Sequence, residues 1–360
     1  MIVETINFIK EYILGFFVLI SVLVFVHELG HYLFARMFKV KVESFSIGFG
    51  RELFGWTDKS GTRWKICPIP FGGYVKMKGE MIESENSNAE HDKDAFQAKA
   101  LWQKFLIVFA GPLFNLIFPI FILFFIAFFA GVHTISPQIG KVLEDSPAYN
   151  ILKPQDIILE AGNKKIKDFS DLQQVISLNP NNTLNLKVLR DSKNVNLQVK
   201  VGSKEVSGYT VGFLGISASM DGLKSYRYSV GKSLSYTYNT YVDVVGLMLK
   251  GLGKLFIGQV SLDDIGGPIK IAELQGDSLK KGIDSWMFFM SLLSLNLAII
   301  NLLPIPALDG GHLLLYAVQG ITRKKISFKI QSFLMQIGFM FLIALMVLVV
   351  LKDIFSFILK

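Results

Sequence analysis

The sequence predicts a mainly α-helical protein that crosses a membrane several times and carries one small α/β domain outside it. Hydrophobic residues make up 51% of the 360-residue chain and the mean hydropathy is +0.44, too oily for a protein dissolved in water. The apolar residues gather into four runs, each about the length a helix needs to cross ~30 Å of hydrocarbon. Between the second and third runs lies a long polar stretch in which short alternating segments, turn residues and one amphipathic helix follow one another.

The first run extends from Tyr12 to Phe38 and is uncharged as far as Val26. The second covers Phe105 to Val132, the third Ser285 to Leu308 and the fourth Ile330 to Leu351. In lipid, only helices satisfy every backbone group within one segment, so each run reads as a transmembrane helix. The loop between the third and fourth contains Thr322-Arg323-Lys324-Lys325 and then Lys329, with no acid. The positive-inside rule sets it in the cytosol. Four crossings then carry both termini and the stretch His133 to Asp284 outside, and Lys39 to Lys104 inside. The net charge of +8 is loop charge of this kind, and no nucleic-acid-binding motif is present. No cleavable signal peptide is evident. The single cysteine, Cys67, forms no internal disulfide and reads as a small buried apolar residue.

The inner loop carries strand-like alternation over Val42 to Ile47, and again at Trp64 to Pro70 and Tyr74 to Met77, around a Phe71-Gly72-Gly73 turn. Its apolar surface makes it membrane-associated. Glu80 to Asp94 is acidic and polar, a flexible excursion. Outside, Ile139 to Val142 reads as a strand, Ser146 to Tyr149 opens a short helix, and Asp156 to Glu160 is a second strand. A turn and short strand cover Asn163 to Ile166. An amphipathic helix follows from Asp168 to Ser177, with Asp168 or Ser170 as its cap. Leu184 to Leu189 and Val195 to Val201 alternate as a hairpin. This order resembles a PDZ domain, except that Gln155 stands where that family's Gly-Asp-x-Ile turn has glycine. Ser225 to Gly276 is amphipathic and aromatic, and reads as helices on the outer membrane surface.

His27-Glu28-Leu29-Gly30-His31 falls inside the first run. On a helix, residues four apart share a face, so two imidazoles can meet one ion with a carboxylate beside them. Zn²⁺ with three protein ligands keeps an open position, and Glu28 is placed to act as general base in hydrolysis. His and Glu are costly in a bilayer, which favours a functional reading over interhelical pairing. Asp309, at the end of a long uncharged run, is the candidate third ligand; a carboxylate at that depth needs a partner. His312 lies three residues on and reads as a supporting or packing residue. Pro304 and Pro306 break the helix and free backbone groups where a peptide could bind.

With these residues the chain resembles the site-2 protease family, of the type that includes the regulator of sigma-E protease (RseP). The resemblance rests on His27 to His31, Phe71 to Met77, Ala110-Gly111-Pro112-Leu113-Phe114-Asn115, Gly267-Pro268-Ile269-Lys270-Ile271-Ala272, and Asn301 to Gly310, in family order over nearly the full length. It implies one Zn²⁺ held by His27, His31 and Asp309, with Glu28 as the catalytic base. Asn115, Asn301, Pro304, Pro306, Gly72, Gly73 and Tyr74 become expected substrate-binding residues. The two amides could equally bond between helices, and the glycine segment could be a structural turn. The implied substrates are single-span membrane proteins, of the anti-sigma-factor or remnant-signal-peptide kind, cut after a first extracytoplasmic cleavage. The chain departs from the well-known enterobacterial type in having room for one PDZ-like domain rather than two.

The expected architecture is a mainly α polytopic protein of the bacterial inner membrane, active as a monomer, with four transmembrane helices, a membrane-associated cytosolic β-hairpin region and one extracytoplasmic PDZ-like α/β domain. Its expected parts are 1–38 (first helix), 39–104 (cytosolic β region), 105–132 (second helix), 133–220 (PDZ-like domain), 221–284 (amphipathic segment) and 285–360 (third and fourth helices). The catalytic residues face the cytosolic side. Two other functions fit parts of the pattern: a membrane-anchored zinc protease acting on cytosolic segments, and a non-enzymatic PDZ scaffold.

Overall fold

Helix α1 (Gly15–Met37) leads into a four-stranded sheet of β1 (Val42–Phe49), β2 (Phe54–Thr57), β3 (Arg63–Ile66) and β4 (Ile69–Met77). The computed structural model describes residues 12, 14–80, 92–206, 209–219, 223–258, 266–324 and 326–358. Most of the acidic stretch from Glu80 to Asp94, Lys325 of the basic loop, and residues 259–265 of the amphipathic segment lie outside the described residues.

Helix α2 (Leu101–Phe125) continues through one π-helical turn at Ile126–Ala130. The α/β segment then contributes β5 (Val132–Ile135), β6 (Ile139–Val142), β7 (Ile157–Ala161), β8 (Lys164–Lys165), α3 (Phe169–Ser177), β9 (Thr183–Arg190), β10 (Lys193–Lys200), β11 (Gly202–Val206), β12 (Tyr209–Phe213), β13 (Ile216–Ala218) and β14 (Leu223–Tyr226). Helices α4 (Val230–Phe256), α5 (Pro268–Lys281), α6 (Ile283–Leu302), α7 (Asp309–Thr322) and α8 (Phe328–Ile358) complete it. Among the described residues four stretches are long and apolar enough to cross a membrane: Gly15–Met37, Leu101–Ala130, Ile283–Leu302 and Lys329–Asp353. Within the amphipathic segment α4 is a 27-residue helix despite four internal glycines, and α5 follows from Pro268.

Contacts divide the chain into two units, 1–126 with 234–360, and 127–233. In the first, the sheet order is β2-β3-β1-β4, with β1 and β3 parallel and β4 an antiparallel edge. Phe71-Gly72-Gly73, expected as a turn, lies instead within strand β4, where Gly73 pairs with Ile47. One core joins sheet, α1, α2 and α7 through Ala35, Phe45, Val75, Ile107 and Leu313. Phe45 is wholly buried and stacks on Trp64 at 4.4 Å; burial of such a ring contributes about 1.5–3 kcal/mol. Cys67 is buried, its Sγ 3.4 Å from Ser46 Oγ.

The third apolar run does not stay helical to Leu308. Helix α6 stops at Leu302, because Leu303 precedes a proline and takes extended backbone (φ −63°, ψ 143°). After the loop with Pro304 and Pro306, α7 begins afresh at Asp309.

The second unit has the predicted strand–strand–helix–hairpin order. Its main sheet runs β10-β9-β7-β8 over a core of Ile139, Ile158, Leu172, Leu186 and Val188. Asp168 caps α3 by accepting from Asp171 N at 2.8 Å. The helix expected at Ser146 to Tyr149 is a series of turns; Asn150 turns left-handed (φ 63°) and ends it after one turn. Gln155 holds φ 73°, a region that costs an L-residue roughly 1–2 kcal/mol. Gln155→Gly should therefore stabilise this unit by up to about 1 kcal/mol, after glycine's own entropy cost. Amide hydrogen exchange of the full-length protein should show slower opening across β7 and β9; unchanged exchange would refute the strain.

Asp58 organises the β2–β3 turn. Partial desolvation pushes its pKa up, but Ser60, Thr62 and Trp64 donate to the carboxylate and hold it well below the usual range. A depressed folded value means stability that is present above the unfolded pKa of about 3.9 and lost as pH falls through the folded one. Asp58→Asn should flatten the acid side of the unfolding curve below about pH 4. Denaturant melts across that range would measure this.

Candidate metal centre

Helix α1 places His27 and His31 one turn apart on its buried face, each 8% exposed. Their rings meet edge to face at 4.8 Å, with the two Nε2 atoms 3.2 Å apart. Asp309 reaches them from α7: Oδ2 lies 3.0 Å from His27 Nε2 and Oδ1 3.6 Å from His31 Nε2. The three ligand atoms lie within 4.8 Å of one another. Asp309 is the first residue of α7, where the helix dipole favours a negative charge.

The tautomers can be followed from the outer nitrogens. His31 Nδ1 donates to the Ile107 carbonyl at 2.9 Å, so the neutral ring turns a lone pair on Nε2 inward. His27 Nδ1 lies 3.3 Å from the Asn115 amide. The end that faces the ring is Nδ2, so the amide donates to Nδ1 and fixes the orientation of the imidazole. Asp309 Oδ2 is buried, with His27 Nε2 as its neighbour at 3.0 Å. Two imidazole nitrogens and a carboxylate converging within 4.8 Å form the nitrogen and oxygen donor set that suits Zn²⁺, so the residues fit the ion.

Two glycines permit this approach. A Cβ at Gly30 would lie 2.2 Å from Ala110 O, so α1 and α2 touch backbone to backbone there. A Cβ at Gly111 would lie 2.3 Å from His31 Nε2 and 2.9 Å from His27 Cε1. Gly30 and Gly111 lie within motifs quoted from the sequence, but no packing role is read there for either, nor any role for the Ile107 carbonyl. A Gly-Pro pair inside an apolar helix was the available signal for Gly111, whereas a backbone carbonyl leaves none.

Glu28 follows His27 on α1 and packs on the β4 edge: a Cβ at Gly73 would lie 3.2 Å from Glu28 Cγ and 2.7 Å from Val24 Cγ1. At Gly72 a Cβ would meet the Phe49 ring at 2.6 Å, and Tyr74 stacks with Phe49 at 6.3 Å. Asn301 sits in the last turn of α6 and Pro304 is exposed in the following loop. Pro306 is covered by α8, where a Cβ at Gly338 would meet Pro306 O at 2.1 Å. His312 lies on α7 with its ring 6.4 Å from Tyr316 and is not one of the three residues whose ligand atoms converge. The structure thus gathers His27, His31, Asp309 and Asn115, sets Glu28 and Gly73 together, and spreads Asn301, Pro304 and Pro306 along one chain break.

Gly111→Ala would force the imidazoles apart. Zinc affinity measured by chelator competition should fall roughly 10- to 100-fold, as when a supporting contact to a ligand is lost, with the protein still folded. Wild-type affinity would show that the ring positions tolerate the methyl group.

Residues 15–345 match the family described as Peptidase family M50. The chain is 40% identical over 352 residues to a Rickettsia conorii protein named "Putative zinc metalloprotease", covering 95% of this chain and 98% of the relative. Proteins of the same description in Brucella suis (35% over 362 residues, 96% and 95% covered) and Campylobacter jejuni (35% over 351 residues, 93% and 91% covered) are also similar. The PDZ domain of an SdrC-like protein from Listeria innocua aligns with 26% of this chain and 99% of its own length, at 20% identity and a TM-score of 0.22. The chain therefore belongs to peptidase family M50, the site-2 proteases, and is a multi-pass membrane zinc metalloprotease.

Proposed function

We propose that this protein is an RseP-type intramembrane endopeptidase that cleaves single-span membrane proteins, of the anti-sigma-factor or remnant-signal-peptide kind, after a first extracytoplasmic cut. The observation that carries this reading is the convergence of His27, His31 and Asp309 on helices of an apolar bundle, with His27 and His31 inside a candidate span. A cytosol-facing protease would draw its ligands from polar segments, and a scaffold would need no such cluster.

His27, His31 and Asp309 would hold the ion. Bound zinc supplies Lewis acidity and lowers the pKa of water to about 7. Glu28 takes the proton released from the attacking water and passes it to the leaving amine. Because Gly73 lies against Glu28, a strand added to the β4 edge would run past that carboxylate. An extended substrate there would lie beside Gly72, Gly73 and Tyr74. A helical substrate hides its amide in internal bonds, so the open Pro304–Pro306 loop, Asn115 and Asn301 serve to hold unwound backbone. The assignment keeps 1–38, 105–132 and 285–360 as the spanning parts, 39–104 in the cytosol, and 133–220 outside, joined through 221–284. One copy contains every residue named here, which suits a monomer.

Glu28→Gln, tested with a co-expressed single-span substrate, should lower turnover by about 10²–10⁴-fold while zinc content stays at wild type. Undiminished cleavage by the variant would eliminate the mechanism.

A further inference from the structure

Helix α2 carries Pro119 in its interior, which removes the main-chain N–H that would ordinarily bond the carbonyl of Asn115 four residues earlier. Asn115 is wholly buried, and a buried carbonyl without a donor is costly. Ser294 of α6, also wholly buried, donates its Oγ–H to that carbonyl at 2.8 Å. Serines inside helices ordinarily bond back onto their own helix, as Ser291 does to Phe288 O at 2.6 Å. Ser294 instead crosses to the neighbouring helix, at the residue whose side-chain amide meets His27 Nδ1. The next carbonyl, Leu116 O, accepts from Tyr241 of α4 at 3.1 Å.

We propose that Ser294 is a positioning residue for the metal centre. Its hydroxyl replaces the donor that Pro119 removes and fixes the rotation of α2 at Asn115. Through Asn115, whose amide lies 3.3 Å from His27 Nδ1, it fixes the orientation of the His27 ring toward Asp309. The proposal rests on reading His27 as a zinc ligand. Ser294 touches neither ion nor substrate. It ties the third candidate span to the second at the level of the histidines.

The test uses the full-length protein in lipid nanodiscs and four variants: Ser294→Ala, Ser294→Thr, Pro119→Ala and the double variant Pro119→Ala/Ser294→Ala. Zinc affinity comes from chelator competition, kcat and KM from a single-span substrate, and folding from the melting of the metal-free protein. Ser294→Ala should bind zinc about 10-fold more weakly, the scale on which outer contacts to metal ligands act, and lower kcat with KM nearly unchanged. Ser294→Thr keeps the hydroxyl and should match wild type. Pro119→Ala restores the main-chain donor, so the double variant should bind zinc as Pro119→Ala does, a coupling that neighbouring but independent residues would lack. Wild-type zinc affinity in Ser294→Ala, even with a lowered melting temperature, would overturn the positioning role and leave the zinc reading intact. A double variant as weak as Ser294→Ala would also overturn it, since the hydroxyl would then act elsewhere than on the Asn115 carbonyl. Failure of the wild-type chain to bind zinc would overturn both readings.

Discussion

Three metal-ligating groups brought to one place inside an apolar bundle set the terms for the rest of this structure. His27, His31 and Asp309 bring two imidazole nitrogens and a carboxylate together, with the histidines almost wholly buried. A carboxylate at this depth needs opposite charge or hydrogen-bond donors beside it, since an uncompensated one costs several kcal/mol. A divalent ion converts the same crowding into a binding site. The outer nitrogens decide whether the inner ones are free to bind it. His31 is held by a main-chain carbonyl and His27 by an amide, both on α2. The second helix, which contributes no ligand, therefore governs the ligands on the first.

That dependence explains the small residues. Helices in lipid gain little from hydrophobic attraction to one another and rely on close packing. Gly30 lets α1 approach the α2 backbone, and Gly111 leaves room for both imidazoles. Gly338 does the same where α8 crosses Pro306, and Met335 Sδ accepts from Ala307 N at 3.1 Å in the same region. The proline loop that leads to Asp309 is thus held by the last candidate span, and the ligand on α7 inherits its position from α8.

Much of this was legible in the sequence. Hydropathy is set by composition over some twenty residues, so all four spanning runs could be read directly. The His-Glu-x-x-His spacing placed two ligands on one face because helical periodicity is local. Less legible were features decided by another part of the chain. Phe71-Gly72-Gly73 looks like a turn by composition, yet β1 recruits it into a strand. Ser146 to Tyr149 has helix-opening residues, but the left-handed backbone at Asn150 closes the turn. Ser294 is one serine among several in an apolar helix, and its role emerges only when Pro119, far away in sequence, is seen to lack the donor it replaces.

The break between α6 and α7 carries the most weight. If the third run had stayed helical to Leu308, Asp309 would close a helix, where the dipole's negative end opposes a carboxylate. Stopping at Leu302 and restarting at Asp309 reverses that sign. Each placement is worth about 0.3–1 kcal/mol at a surface and up to ~2 kcal/mol where partly buried, so the reversal favours the charged form twice over. The restart also needs close backbone packing: a Cβ at Gly310 would lie 2.1 Å from Leu303 O, and one at Gly311 2.5 Å from Ile305 O. Asn301 to Gly311 therefore acts as one device. The prolines end the first helix, the glycines fold the loop onto the second, and Asp309 emerges at the positive helix end facing the two histidines.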